Sequence, residues 1–225
     1  MTQLDYKRHV DGVIERIEKA RLGVSDHHIV KMVAVSKYVH EVAIEALYTI
    51  GQRAFGENKV QSLQLKATAL DALPLEWHFI GSLQKNKINP LISLNPALVH
   101  SIDSVELALA LNDRLAREGK NVSALIQINS AYESTKSGFL PEASLQAYAQ
   151  IQEQCPHIHL KGVMSIGAHT HDRPTIQKSF ERTRLIFDQL PNATICSMGM
   201  SEDFELAIAC GSTLVRLGSI LFPAC

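Results

Sequence analysis

The chain has 225 residues, 46% of them hydrophobic, with 22 basic and 23 acidic side chains and a formal net charge of -1. That is apolar material for one sizeable core, near the usual minimum for a complete barrel, and the balanced charge gives no general attraction to nucleic acid or to an anionic membrane. No linker, repeat, low-complexity segment or run of like charge divides the chain, so one domain over 1–225 is expected. Met1-Thr2-Gln3-Leu4-Asp5 lacks the apolar core of a signal peptide, and no apolar stretch approaches membrane-spanning length, so a cytoplasmic protein is expected.

Along the chain, the first twenty or so residues read as an amphipathic helix with Val10, Val13, Ile14, Ile17 and Leu22 on one side, placed to cover one end of the fold. Apolar, β-rich runs then recur at Met32–Ser36, Ala54–Gly56, Trp77–Ile80, Leu98–Ile102, Ala124–Ile128, Leu160–Ile166, Thr194–Cys196 and Leu214–Leu217. Between them lie helical patterns, among them Val60–Leu73, Val105–Arg117, Ala143–Glu153 after Pro141 and Ile176–Leu190 after Pro174. The alternation predicts parallel strands and an α/β fold of the (β/α)₈ TIM-barrel type with an extra N-terminal helix. A doubly wound open sheet would need a strand-order reversal.

Polar residues gather where such strands end. Lys37 closes the run Met32-Val33-Ala34-Val35-Ser36; taken alone it reads as a lysine snorkelling to solvent, but an amine held at a pocket is a candidate nucleophile for a carbonyl. Far downstream, Ser197-Met198-Gly199-Met200-Ser201 and Leu217-Gly218-Ser219 each follow a strand with glycine and a hydroxyl. Such loops cradle anions, and two of them after consecutive strands match the phosphate site built by the loops after strands 7 and 8 of a barrel. The ring is completed by Glu57 and Asn58, His78, Gly81 and Ser82, Ser101 and Asp103, Asn129, and Met164 with Ser165. Local readings compete: Asn58 as an Asx turn, His78 as a hydrogen-bonded core histidine, Asp103 as the cap of the helix at Val105. Cys155, Cys196, Cys210 and Cys225 have no C-x-x-C spacing and read as free thiols, with Cys225 exposed by position. His169, His171 and Asp172 lie in a polar loop whose histidines read as solvated, and no metal site is expected.

These residues carry a family resemblance. Val33-Ala34-Val35-Ser36-Lys37, Phe55-Gly56-Glu57-Asn58, Trp77-His78-Phe79-Ile80-Gly81-Ser82-Leu83-Gln84-Lys85-Asn86-Lys87, Ser134-Thr135-Lys136-Ser137-Gly138, Ser197-Met198-Gly199-Met200-Ser201 and Gly211-Ser212-Thr213-Leu214-Val215-Arg216-Leu217-Gly218 resemble the pyridoxal 5′-phosphate (PLP) homeostasis proteins of the YggS/PROSC type. The match runs in order over nearly the whole chain. It implies the PLP fold-type III barrel of alanine racemase, with PLP bound as an aldimine on Lys37. It implies phosphate contacts from Gly199, Ser201, Gly218 and Ser219, Arg216 at the pyridine nitrogen, Asn58, His78 and Met164 beside the cofactor, and Ser197 among the cofactor-binding residues. Departures are Ser82 in place of proline, Lys85 in place of serine, Ser219 in place of threonine, the loop 165–172, and an ending without Gly-x-Arg.

Two functions then compete. One is a PLP carrier that buffers the cofactor as a reversible Schiff base, supports vitamin B6 and amino-acid homeostasis without turnover of its own, and has PLP-dependent apo-enzymes or B6 salvage enzymes as partners. The other is an amino-acid racemase, which needs acid–base groups on both faces of the substrate; alanine racemase takes the second from another domain, which this chain lacks. A regulatory protein whose PLP state is read by a partner is compatible with the first. A monomer is expected, and Lys136, Lys85 and Lys87 are candidates for a second, transient PLP or phosphate site.

Overall fold

A computed structural model describes residues 3–222; Cys225 lies outside them. The elements are α1 (Gln3–Leu22), β1 (Lys31–Val35), α2 (Glu41–Thr49), β2 (Ala54–Glu57), α3 (Val60–Ala69), β3 (Glu76–Phe79), α4 (Ile88–Ser93), β4 (Leu98–Ile102), α5 (Val105–Glu118), β5 (Val122–Ile128), α6 (Pro141–Gln154), β6 (Ile158–Ser165), α7 (Arg173–Phe187), β7 (Ile195–Ser197), α8 (Phe204–Ala209) and β8 (Leu214–Leu217). The strands form a closed barrel in chain order, each parallel to its neighbours, with β8 returning to β1. This is the predicted (β/α)₈ architecture.

Strand alternation divides the apolar residues into two cores. Val33, Ala54, Leu98, Leu125, Met164 and Leu214 form the smaller cluster, inside the barrel. The larger lies between strands and helices and takes in Phe55, Phe79, Leu111, Tyr148, Phe180 and Phe204. Burying such side chains is worth roughly 1.5–3 kcal/mol each, which is why helices with an apolar stripe close over the sheet.

Local chemistry sets the element ends. The Ser104 hydroxyl accepts from the Leu107 N–H at 3.2 Å and caps α5, so the capping role expected of Asp103 belongs to its neighbour. Asp172 caps α7 through the Thr175 N–H at 3.0 Å, which starts that helix at Arg173, three residues before the predicted Ile176. Helix α3 stops at Ala69, short of Leu73, because the chain turns there through a Leu73 N–H to Leu70 carbonyl bond ahead of Pro74. The N-terminal helix departs in part from expectation. Val10, Val13 and Ile17 are buried, but Ile14 and Leu22 stay exposed. It also lies against α8 and α2, fixed by Arg16 to Glu205 hydrogen bonds of 2.8 and 2.9 Å, and its Ile14, Ile17 and Glu18 share a cavity with Lys31, Met32, Arg53 and Ala54 at the amino ends of β1 and β2.

Candidate cofactor site

At the carboxyl end of the barrel, the loops after β7 and β8 are joined. The Ser201 hydroxyl accepts from the N–H of Gly218 at 3.2 Å and of Ile220 at 3.5 Å. Gly199 makes the turn at φ +93°, where a Cβ would stand 2.7 Å from the Ala207 Cβ and 2.8 Å from the Phe204 Cα, so only glycine fits. Asp203 Oδ1 accepts from the Met200 N–H at 2.7 Å, and burial pushes its carboxyl upward in pKa. The backbone N–H groups of Gly199, Ser201 and Ser219 donate to no atom of the described residues. With α8 only six residues long, anion binding here would come from these donors and the hydroxyls rather than from a helix dipole. Gly218 lies against β1, where an added Cβ would be 3.4 Å from the Val35 carbonyl oxygen, so the loop sits beside the strand that leads to Lys37.

Arg216 projects inside the barrel from β8, 5% exposed. Its Nη1 donates to the Ser197 carbonyl at 2.9 Å and the Ser197 hydroxyl at 2.6 Å, and its Nη2 to the Ser165 carbonyl at 2.9 Å. No carboxylate of the described residues lies within ion-pair distance, and burial lowers the guanidinium to about 10. Beneath it, His100 Nδ1 meets the Ser197 hydroxyl at 3.3 Å, and His100 Nε2 meets His78 Nδ1 at 2.9 Å. Burial pushes the His78 imidazole down to about 4. His78 is thus a hydrogen-bonded interior histidine two steps below Ser197, with His100 between them. His100 escaped the sequence reading; its only signal is a polar residue within the wholly buried strand Leu98–Ile102. Met164 packs in the interior apolar layer.

Lys37 takes the solvent-facing conformation that its position also allows. It lies two residues past β1, is exposed, and sets its Nζ 4.8 Å from the centre of the Tyr38 ring, beside a cavity of about 280 Å³ lined also by Ser62, Leu65 and Lys66. A lysine just beyond a strand end is free to turn outward while its stem stays along the pocket edge. The buried lysine is Lys66 on α3, which donates to the Ser36 carbonyl at 2.6 Å and to Glu57 Oε1 at 2.6 Å. The Ser36 hydroxyl donates to the same oxygen at 2.7 Å, and Glu57 Oε2 has no hydrogen-bond partner among the described residues. Lys66 shares the stripe of Val60, Leu63 and Leu70, a position that the helical spacing shows and the residue type conceals.

Other predicted rim residues are engaged in holding loops. Asn58, half-buried at the end of β2, crosses so close to Gly81 that a Cβ there would be 2.0 Å from its carbonyl oxygen. Ser101 donates to the Gly81 carbonyl. Asn129 binds the backbone of Glu133 and Lys136. Lys136 donates to Glu133 Oε1 at 2.9 Å and the Gly167 carbonyl at 2.8 Å, and Lys85 pairs with Glu106. Two of the three amines proposed for a second anion site, Lys136 and Lys85, therefore already have acceptors. His169 and His171 are exposed, and among the described residues no group of three or more side chains could hold a metal ion. Cys155, Cys196 and Cys210 are free thiols. No helix of the described residues is long and apolar enough to cross a membrane.

The family of the alanine racemase N-terminal domain matches residues 14–224. A Helicobacter pylori (strain 26695) protein named pyridoxal phosphate homeostasis protein is 58% identical over 219 residues, covering 97% of this chain and 99% of its own. The chain belongs to the pyridoxal phosphate homeostasis proteins. PipY of Synechococcus elongatus, solved with PLP bound, superposes with a TM-score of 0.79 at 32% identity, covering 92% of this chain and 98% of that one. A Bifidobacterium adolescentis protein described as unknown superposes with a TM-score of 0.91 at 31% identity, over 98% of this chain and 95% of its own. Alanine racemase of Clostridium difficile shares the fold, with a TM-score of 0.76 at 20% identity, over 98% of this chain and 58% of the enzyme.

Proposed function

We propose that this chain binds PLP at the carboxyl end of the barrel and carries it as a reversible covalent cargo of Lys37, with no turnover of its own. The observation that carries this reading is the donor set: unbonded N–H groups at Gly199, Ser201 and Ser219, and a buried Arg216 with no carboxylate partner. Such a set suits an anion joined to a neutral ring acceptor. The names of the relatives and the PLP-bound PipY support the same group.

When bound, PLP supplies an aldehyde that condenses reversibly with a primary amine and releases water. Lys37 provides the amine, reaching the mouth by rotation away from Tyr38. The loops of Ser201 and Gly218, with Ser219, hold the phosphate. Arg216, always protonated, faces the ring nitrogen and disfavours a second proton there, which weakens the cofactor as an electron sink and suits storage over conversion. We further propose a cytoplasmic monomer that releases PLP to apo-enzymes, supporting vitamin B6 and amino-acid homeostasis.

The test is the visible absorbance of purified protein after PLP addition, with and without borohydride, for the native chain and Lys37→Ala, followed by L-alanine. A reducible band that disappears in Lys37→Ala, with no D-alanine formed, is expected. Formation of D-alanine would transfer the protein to the racemases, and a reducible band that survives in Lys37→Ala would remove Lys37 from its role.

A further inference from the structure

A barrel interior is ordinarily filled by apolar layers, yet here a polar column runs down it. From the carboxyl end it comprises Arg216, Ser197, His100 and His78, all buried, and it ends 3.8 Å from the carboxylate of Glu76, which pairs with Lys31 at the opposite rim. We infer that His100 is a positioning residue for Arg216, acting through the Ser197 hydroxyl in a hydrogen-bond column of fixed direction. The inference rests on the PLP reading only for what Arg216 touches.

Direction follows from donor arithmetic. The guanidinium can only donate, so the Ser197 oxygen accepts from Nη1. The Ser197 proton then has one acceptor among the described residues, His100 Nδ1. With Nδ1 accepting, His100 carries its proton on Nε2 and donates to His78 Nδ1. His78 in turn is protonated on Nε2, a buried atom with no hydrogen-bond partner among the described residues, and that N–H faces the Glu76 carboxylate at 3.8 Å. The reverse direction strands the Ser197 proton and sets a bare nitrogen lone pair toward a carboxylate. Both ends of the column select the same tautomers.

The consequence is a guanidinium whose hydroxyl contact is fixed from below, which holds Arg216 against turning toward Asp203, a carboxylate whose charge reaches it. A neutral, tautomer-locked pair under a cation also adds no second positive charge near the ring-nitrogen position.

Two measurements test this. In cofactor-free protein labelled with ¹⁵N-histidine, long-range imidazole correlations should show His78 and His100 protonated at Nε2 and bare at Nδ1, unchanged between pH 8 and about 5.5. An Nδ1-protonated ring at either position overturns the inference, and this readout needs no variant to fold. In PLP titrations, His100→Leu and Ser197→Ala should each weaken binding about tenfold, and the double variant no more than either alone. His100→Gln, whose amide can accept from Ser197 and donate to His78, should stay within about twofold of native. Native-like affinity in His100→Leu, or multiplying losses in the double variant, overturns the inference. If native protein takes up no PLP but shows these tautomers, the cofactor reading fails while the column stands.

Discussion

Lys66 shows at the scale of one residue how the fold presents another. Its ammonium, with a side chain 9% exposed, binds Glu57 and the Ser36 carbonyl, and so holds the backbone immediately before Lys37. Two charges out of water are compensated by each other and by the Ser36 hydroxyl, so the net stabilisation is small, but loss of one partner leaves a buried charge alone. Lys66→Met should therefore lower unfolding free energy by roughly 3–5 kcal/mol, read as the urea midpoint at constant slope. Adding Glu57→Leu should recover part of that loss. A Lys66→Met protein within about 1 kcal/mol of native would show that Glu57 finds other solvation. The exposed Arg16 and Glu205 pair sets the contrast, because Glu205→Ala should cost no more than about 1 kcal/mol.

At the scale of elements, the loop from β7 to α8 depends on one backbone conformation. Gly199→Ala puts a Cβ against Phe204 and Ala207 at a φ that L-residues rarely adopt, and should cost about 2 kcal/mol or more and weaken PLP uptake. Gly12, inside α1 with nothing within 4 Å of an added Cβ, should behave oppositely: Gly12→Ala should add roughly 0.5–1 kcal/mol. Thermal unfolding of the two variants, with PLP titration of the first, separates loop strain from helix propensity. This contrast also marks what the sequence makes legible. All eight strands and the loops at Gly199 and Gly218 could be read, since alternation and turn chemistry are local signals. The ends of α3 and α7 shifted by several residues because capping and turn bonds, not periodicity, end a helix. The orientation of Lys37 and the burial of Lys66 are set by packing across elements, and His100 meets His78 because strand pairing sets β4 beside β3, a neighbour that neither segment names by itself.

At the scale of the molecule, the interior column makes stability depend on pH. His78 is held down to about 4 chiefly by burial, with the Lys31 charge acting in the same direction and Glu76 opposing. His100 is also depressed, by burial first and then by His78 and Arg216. An unfolded chain titrates its histidines near 6.5, so between there and about 4 the unfolded state binds more protons than the folded one. Stability is then fully present above about pH 7 and falls as pH drops through this window, with His78 alone accounting for roughly 3 kcal/mol by its lower end. Carboxylates such as Glu76, whose pKa is lowered by the Lys31 hydrogen bond, lose their contribution mainly below their ordinary range, so the interval from pH 7 to 5 isolates the imidazoles. Urea unfolding of the native chain should show a falling midpoint across that interval. In His78→Gln, which keeps a donor and an acceptor but cannot gain a proton, the slope should shrink. A native midpoint that stays flat from pH 7 to 5 would mean that the folded barrel accepts protons on its interior histidines, and the column would then be a charged one.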